Sequence, residues 1–505
     1  MSASEPVTRL RPASKIEKRF TVRHALGWYR ALIIAGLYTV DKASAFDTHS
    51  IASYIPAMKR CIKNHPFLSA TIDGLYGEFP VFTRLAKLDL GNHIQIIDTE
   101  SDLYKSEEDE LELFKKVILE THDQLWPDAE RIPPWKIVVL PFPDQADSTQ
   151  KRVYIIYAFS HTHGDAKSAL AFHRSFLQGL QTQAADNNED QSLIYKPPSS
   201  PLPLPLEEAC NLKISWSFLL APVLAQYMPN IVCRLLGIQA GGSQLSVDRG
   251  YTGEITSYDK DNFRTASQIL VVKQDMLAKV LTVCRSQCSK LTGLLNRLIV
   301  YALSELLPPE TANGFIGQIV VDLRSQIPAY ADGMTMGNFV SAAYDTSSRT
   351  TPNPNSKYDE TFWDAVRGTT TRLAATANTL DDQPIGLLKY LSNFRAWFLS
   401  HLGKKRDSSY EISNIGVFDP TLSNINDMAT TTSQPWTIER TVFSQPANVL
   451  ASPLNFQVVS MKGGDMVITL NWQVGVTGVS DEDAFAKAVL GHINNGLEEI
   501  ALEAQ

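Results

Sequence analysis

Residues 151–180 read KRVYIIYAFSHTHGDAKSALAFHRSFLQGL. The run from Val153 to Phe159 is apolar, β-branched and aromatic without a break, which predicts a buried strand. It stops at Ser160-His161-Thr162-His163-Gly164-Asp165. From Ala166 the pattern turns helical, with Leu170, Phe176, Leu177 and Leu180 near one face. Two imidazoles and a carboxylate therefore stand where a buried strand meets a helix N-terminus. Negative charge is favoured at helix starts, and loops held by rigid elements often carry chemistry.

Three readings fit this junction. In the first, Asp165 caps the helix and the histidines are polar loop residues. In the second, His161-Thr162-His163-Gly164-Asp165 is part of a binuclear metal site. That pattern needs another His directly after the Asp, and position 166 is Ala. In the third, His161 and Asp165 form an H-x-x-x-D pair, with His161 a general base and Asp165 turned away to hold the loop. Histidine suits that task because its ordinary pKa lies near neutrality. The junction alone does not choose among them.

Composition narrows the class. The 505 residues, 44% of them hydrophobic, suffice for a large core or two large halves of one enzyme. Lys plus Arg number 46 against 54 Asp plus Glu, a net charge of −8 with no basic tract. Nucleic acid is therefore not an expected partner. The five cysteines, Cys61, Cys210, Cys233, Cys284 and Cys288, are odd in number and scattered, unlike a disulfide framework. With no signal peptide and no span, the expectation is a soluble protein of a reducing, cytoplasmic compartment.

Along the chain, Ala31 to Val40 predicts a buried strand and Phe46 to Asn64 a helix, with Pro56 a point of kinking and His65-Pro66 its end. Phe67 to Asp73, Phe79 to Leu85 and Ile132 to Leu140 predict strands, and Asp102 to His122 a helix. Residues 184–208 turn polar and then proline-rich, which predicts an extended connection. The chain thus divides into residues 1–183, a linker at 184–208, and residues 209–505. The apolar stretch Ile214 to Leu236 is broken by Pro222, Pro229 and Arg234. Beyond it, strands are expected at 265–272, 317–323, 410–418, 437–444, 454–461 and 466–474. Helices are expected at 274–287, 291–306, 359–378, 385–402 and 481–502, and a surface loop at 345–358. Mixed order without a strict βα repeat favours a mixed sheet over a doubly wound one.

Taken in order, several short motifs recur as a set. They are Leu10-Arg11-Pro12, His65-Pro66, Ile132-Pro133-Pro134-Trp135, His161-x-x-x-Asp165, the proline-rich crossover, Asp322-Leu323-Arg324, Met336-Gly337-Asn338-Phe339-Val340-Ser341, Ser413-Asn414-Ile415-Gly416 and Phe443-Ser444-Gln445. The chain resembles the fungal alcohol acetyltransferase-like branch of the CoA-dependent acyltransferase superfamily. Chloramphenicol acetyltransferase, the plant BAHD acyltransferases and peptide-synthetase condensation domains share that superfamily. Two departures stand out: Ala166 follows Asp165 where many relatives have Gly, and the plant branch's D-F-G-W-G is absent.

The resemblance implies an α/β fold of two similar halves, each a mixed β-sheet flanked by helices, with a tunnel between them. It implies transfer of an acyl group, acetyl first, from acetyl-CoA or another acyl-CoA co-substrate to a small-molecule alcohol or amine. No metal and no permanently bound cofactor are implied, and a monomer is expected. His161 is the expected base. Asp165 is expected to pair with Arg324 across the halves, because a buried carboxylate needs a partner. Ser444, Gln445 or Asn414 is expected to meet the oxyanion or the acceptor. Two other classes stay open: a carrier-protein-dependent condensation or transesterification enzyme, and a catalytically silent small-molecule binder on the same fold.

Overall fold

A computed structural model of the chain describes residues 7–99, 106–143, 149–183, 190–220, 250–350, 357–421 and 436–503. At its centre the strands Ala31–Asp41 and Gln150–Ser160 run antiparallel, Ala31 opposite Ser160 and Asp41 opposite Gln150. Successive side chains point to opposite faces. Leu32, Ile34, Tyr38, Val153, Ile155, Tyr157 and Phe159 serve one core. Ala31, Ile33, Ala35, Leu37, Tyr154, Ile156 and Ala158 serve another. Both faces are buried, so neither run alternates in polarity. Each large apolar side chain buried this way contributes about 1.5–3 kcal/mol.

These two strands sit inside a five-stranded mixed sheet, in the order Thr437–Ser444, Ala31–Asp41, Gln150–Ser160, Trp135–Pro141, Ile94–Ile96. A second mixed sheet has six strands: Thr265–Val272, Met466–Gln473, Leu454–Met461, Tyr410–Phe418, Gly314–Asp322, Val340–Ser348. Tyr410–Phe418 is parallel to both its neighbours. The strand Thr437–Ser444 leaves the late part of the chain and completes the sheet built by early strands. Thr469 Oγ1 and Asn471 Nδ2, both on the second sheet, donate to Phe443 O and Ser444 Oγ and tie that strand back. Helices flank both sheets. Ile51–Asn64 lies against Ala166–Gln183, where a Cβ at Gly179 would fall 2.6 Å from Ala57 Cα, so glycine permits the approach. Leu291–Leu306, Glu360–Ala377 and Glu482–Leu502 bury their apolar faces with the second sheet. The fold is thus α/β, in two mixed-sheet halves. Among the described residues no helix is long and apolar enough to cross a membrane.

Several expected elements shift for local reasons. The helix expected from Phe46 begins at Ile51 and continues through Pro56 to Asn64. The strand expected over Phe67–Asp73 is a 3₁₀ turn at Pro66–Ser69 and then a strand at Ala70–Asp73, since Pro66 presets the turn. The helix expected over Ile385–Leu402 is a 3₁₀ segment, Pro384–Tyr390, and a short helix, Phe394–Leu399, capped afresh by Asn393. Residues 102–105 of the expected helix, 184–189 of the linker, 221–236 of the apolar stretch, 351–356 of the surface loop, and Cys233 lie outside the described residues. Ser106 starts the helix Glu107–His122 with a capping box to Asp109.

Buried histidines stitch these elements together. His122, on a helix, bonds through Nδ1 to Ala31 O and through Nε2 to Ser444 Oγ, both at 2.7 Å. His173 bonds to Tyr38 Oη and Ile34 O. His93 reaches Trp135 O, His65 reaches Ser175 Oγ, His163 reaches Ala70 O, and His24 bridges Ser160 Oγ and Trp126 O. Burial pushes each of these imidazoles down to about 4.

The two halves meet at a buried ion pair. Arg324 Nη1 donates to Asp165 Oδ2 and Nη2 to Asp165 Oδ1, both at 2.8 Å. The side chains are 2% and 3% exposed, so water does not screen them. Burial acts most strongly on the Asp165 carboxyl and raises its pKa. The Arg324 charge, then hydrogen bonds from Arg324, Phe339 N and Ser168 N, overcome burial and hold the group below its ordinary value. Ser168 N donates to Oδ1 at 3.1 Å, so Asp165 also caps the Ala166 helix.

Losing either partner leaves the other charge buried. Asp165→Asn and Arg324→Ala should each cost about 3–5 kcal/mol, and the double variant much less than the sum. Denaturant melts of the four proteins check this; additive losses would contradict the pairing. The histidines predict acid sensitivity. Their pKa values are near 6.5 unfolded and about 4 folded. Between those values the unfolded chain binds more protons, so stability falls as pH drops through the window. Buried carboxyls with raised pKa, Glu411 among them, work the other way lower in the range. The denaturation midpoint should therefore fall between pH 7 and pH 5; a flat midpoint would rule out buried neutral histidines.

Candidate active site

The helix Lys15–Leu26 is fixed at both ends before it reaches the site. Ser14 and Glu17 form a capping box, and Arg11 grips Glu17 with two nitrogens at 2.6 and 2.8 Å. At the other end Gly27 adopts φ 72°, the left-handed conformation of a helix C-cap. So held, the helix stacks Phe20 on His161, ring centroids 4.3 Å apart at 29°. Tyr29 lies at 5.2 Å on the same imidazole. Asn338 Nδ2 donates to His161 O at 3.0 Å and fixes the main chain.

His161 keeps some exposure, and that exposure opens into a cavity. Its Nδ1 is buried and has no hydrogen-bond partner in the protein. Burial, and next the Arg23 charge, push the imidazole down to about 4, with Asp165 opposing. The ring is therefore neutral at pH 7. His163 faces elsewhere, bonded to Ala70 O and Thr162 Oγ1 at 2.8 Å each. Asp165 is spent on Arg324. The three side chains of the metal-like pattern thus have separate destinations. Among the described residues no group of three or more His, Cys, Asp or Glu is placed to hold an ion.

The cavity encloses about 390 Å³ between the sheets. Its wall takes Gln318 from one strand, Ser341 and Tyr344 from another, and Glu411, Ser413 and Asn414 from a third. Asn414 stands where Tyr410–Phe418 slips register against Leu454–Met461, and Gly416 at φ 82° completes the bulge. Bulges of this kind re-aim side chains beside sites. Asn414 Nδ2 donates to Thr292 Oγ1 at 3.0 Å, which leaves one N–H. Gln445 also lines the cavity, taking a bond from Tyr29 Oη at 2.7 Å and giving one to Glu411 at 3.2 Å. Ser444 lies outside the wall, its hydroxyl held between His122 and Asn471.

Sequence reading passed over several wall residues. Arg19 and Arg23, four apart on the first helix, face the cavity, as do Tyr29 and Glu411. The i, i+4 spacing was a visible signal, but charged residues on a helix are ordinarily a solvated face. Ser341 and Ser408 carry buried hydroxyls with no partner in the protein. Asn338 and Ser341 lie in the recurring Met336–Ser341 motif, whose place beside His161 only the fold reveals.

Comparison with known proteins agrees with this geometry. The model of the alcohol acetyltransferase family matches residues 89–487. The probable alcohol acetyltransferase FCK4 of Fusarium pseudograminearum is 25% identical over 486 residues, 92% of this chain and 91% of the relative. The probable alcohol acetyltransferase crmB of Aspergillus fumigatus is 22% identical over 489 residues, 94% of this chain and 96% of that one. Among solved structures, TRI3 trichothecene 15-O-acetyltransferase from Fusarium sporotrichioides has a similar fold, TM-score 0.64 at 13% identity, covering 99% of this chain and 97% of that one. The condensation enzyme VibH has TM-score 0.52 at 12% identity, covering 97% and 95%. With a family model over most of its length and a neutral, cavity-facing imidazole in the H-x-x-x-D junction, this chain belongs to the alcohol acetyltransferase family and is an acyltransferase.

Proposed function

We propose that the protein moves an acyl group, acetyl first, from acyl-CoA to a hydroxyl (or amine) of a small-molecule acceptor bound in the cavity, with His161 as general base. The observation that carries this is the His161 ring: neutral, stacked, facing the cavity, and free at one nitrogen. In the tautomer with the proton on the buried Nδ1, Nε2 holds the lone pair. Nε2 takes the acceptor's proton as the acceptor oxygen attacks the thioester carbonyl. The tetrahedral intermediate collapses by breaking the C–S bond, and the imidazolium returns the proton to the departing thiolate. No acyl-enzyme is needed. The second N–H of Asn414 and the unpaired hydroxyl of Ser341 are the donors available for the oxyanion. The residues come from both sides of the 184–208 linker, so the site is shared between the two parts.

His161→Ala should lower kcat by roughly 10²–10⁴-fold with the fold intact. His163→Ala should cost stability through its Ala70 contact while sparing kcat per folded molecule. A base with pKa about 4 stays competent in mild acid. Hence kcat/KM for acetyl-CoA, assayed by pH jump, should stay level from about pH 8 to about pH 5 and fall only as pH approaches 4. A fall centred near 6.5 would mean an unburied base. Saturation by an acyl carrier protein and indifference to acyl-CoA would replace the CoA donor.

A further inference from the structure

Two guanidinium groups beside His161 lack a protein partner. Arg19 and Arg23 sit on one face of the helix Lys15–Leu26 and both line the cavity. Arg23 is 6% exposed, and its Nη2 makes no hydrogen bond. Among the described residues neither arginine side chain forms a hydrogen bond or an ion pair. Like charges four apart on a helix repel, and burial makes an unpaired cation costlier. Other buried arginines find acceptors: Arg324 and Arg440 meet the carboxylates of Asp165 and Glu107, and Arg30, Arg84 and Arg406 donate to main-chain carbonyls.

Aromatic rings hold both groups in place while leaving their N–H edges free. Arg23 lies over Tyr29 at 4.5 Å and Arg19 over Phe20 at 5.7 Å. Those are the two rings that touch His161. Glu411, also in the wall, is near enough for its charge to favour both cations, yet its hydrogen bond is with Gln445 and it forms no ion pair with either arginine. The result is a positive, partly desolvated fork one ring away from the base.

We propose that the acceptor is a hydroxylated carboxylic acid, whose carboxylate sits between Arg19 and Arg23 and so presents its hydroxyl to His161. This rests on the acyl-transfer reading above. A guanidinium fork matches a carboxylate in geometry and charge. The donor's phosphates fit less well here, because the pantetheine arm separates them from the thiol that must reach His161.

Binding to the full chain tests the assignment without relying on turnover. The probes are a panel of aromatic and aliphatic hydroxy acids, each paired with its methyl ester, such as para-hydroxycinnamate and methyl para-hydroxycinnamate. Thermal shift finds binders and calorimetry ranks them. Acids should bind at least about tenfold more tightly than their esters. Arg23→Gln and Arg19→Gln should each weaken the acid about 10–100-fold and leave the ester nearly unchanged. Arg23→Lys, which keeps charge but loses the fork, should fall between, and serves if the Gln variant does not fold. Equal binding of acid and ester, equal losses for both in the variants, or no acid bound at millimolar concentration would overturn the proposal. So would variants that weaken CoA but not pantetheine while the acid preference persists, since the arginines would then serve the donor. Acids that bind in this pattern without being acylated would sink the acyl-transfer reading and leave the carboxylate site standing.

Discussion

The Asp165–Arg324 pair is the constraint on which the site's geometry depends. One guanidinium meets both carboxylate oxygens and also donates to Asp322 Oδ1, Thr335 O and Gly337 O. The same carboxylate takes the Phe339 and Ser168 amides. The strand end at Asp322, the segment 335–339 and the start of the Ala166 helix are thereby held at one point. Asn338, inside that segment, reaches His161 O. Gly164 belongs to the same arrangement, since a Cβ there would fall 2.6 Å from Ser168 Oγ. Buried ion pairs of this kind gain little net stability over apolar packing. What this one supplies is position: a carboxylate satisfied on every side has no capacity left to act as a second base.

What could be read in the sequence followed from how locally each feature is encoded. Ala31–Asp41 and Gln150–Ser160 were legible because a strand buried on both faces must be apolar at every position. The Asp165–Arg324 contact was legible through the family resemblance, which supplies an Arg as the partner; the physics alone says only that a carboxylate under a buried loop needs one. The crossing of Thr437–Ser444 into the early sheet was not, because its pattern suits any half-buried strand and its neighbour is chosen by the whole fold. The roles of His65 and His122 were hidden for the same reason: each bonds to a residue far away in the chain. Arg19 and Arg23 carried no expectation from the sequence, and only the packing of the first helix against His161 places them in the cavity wall. Of the residues expected at the oxyanion, Ser444 has its hydroxyl bonded to His122 and Asn471, a pairing no local pattern discloses.

The histidines carry the argument one step further. His24, His65, His93, His122, His163 and His173 share with His161 the same depressed pKa of about 4, each mainly through burial. A perturbed pKa therefore does not set the proposed base apart from the other histidines. Connectivity does. Each of the other six spends a ring nitrogen on a residue of another element, far away in the chain. Imidazole suits that connecting role because it can be buried neutral, which Lys and Arg resist, and still donate and accept at opposite edges. His161 is buried by the same physics, but the contacts that hold its ring are the faces of Phe20 and Tyr29. Those contacts fix the ring's plane without using its second nitrogen. A histidine that the fold orients but does not bond keeps its lone pair for whatever enters the cavity.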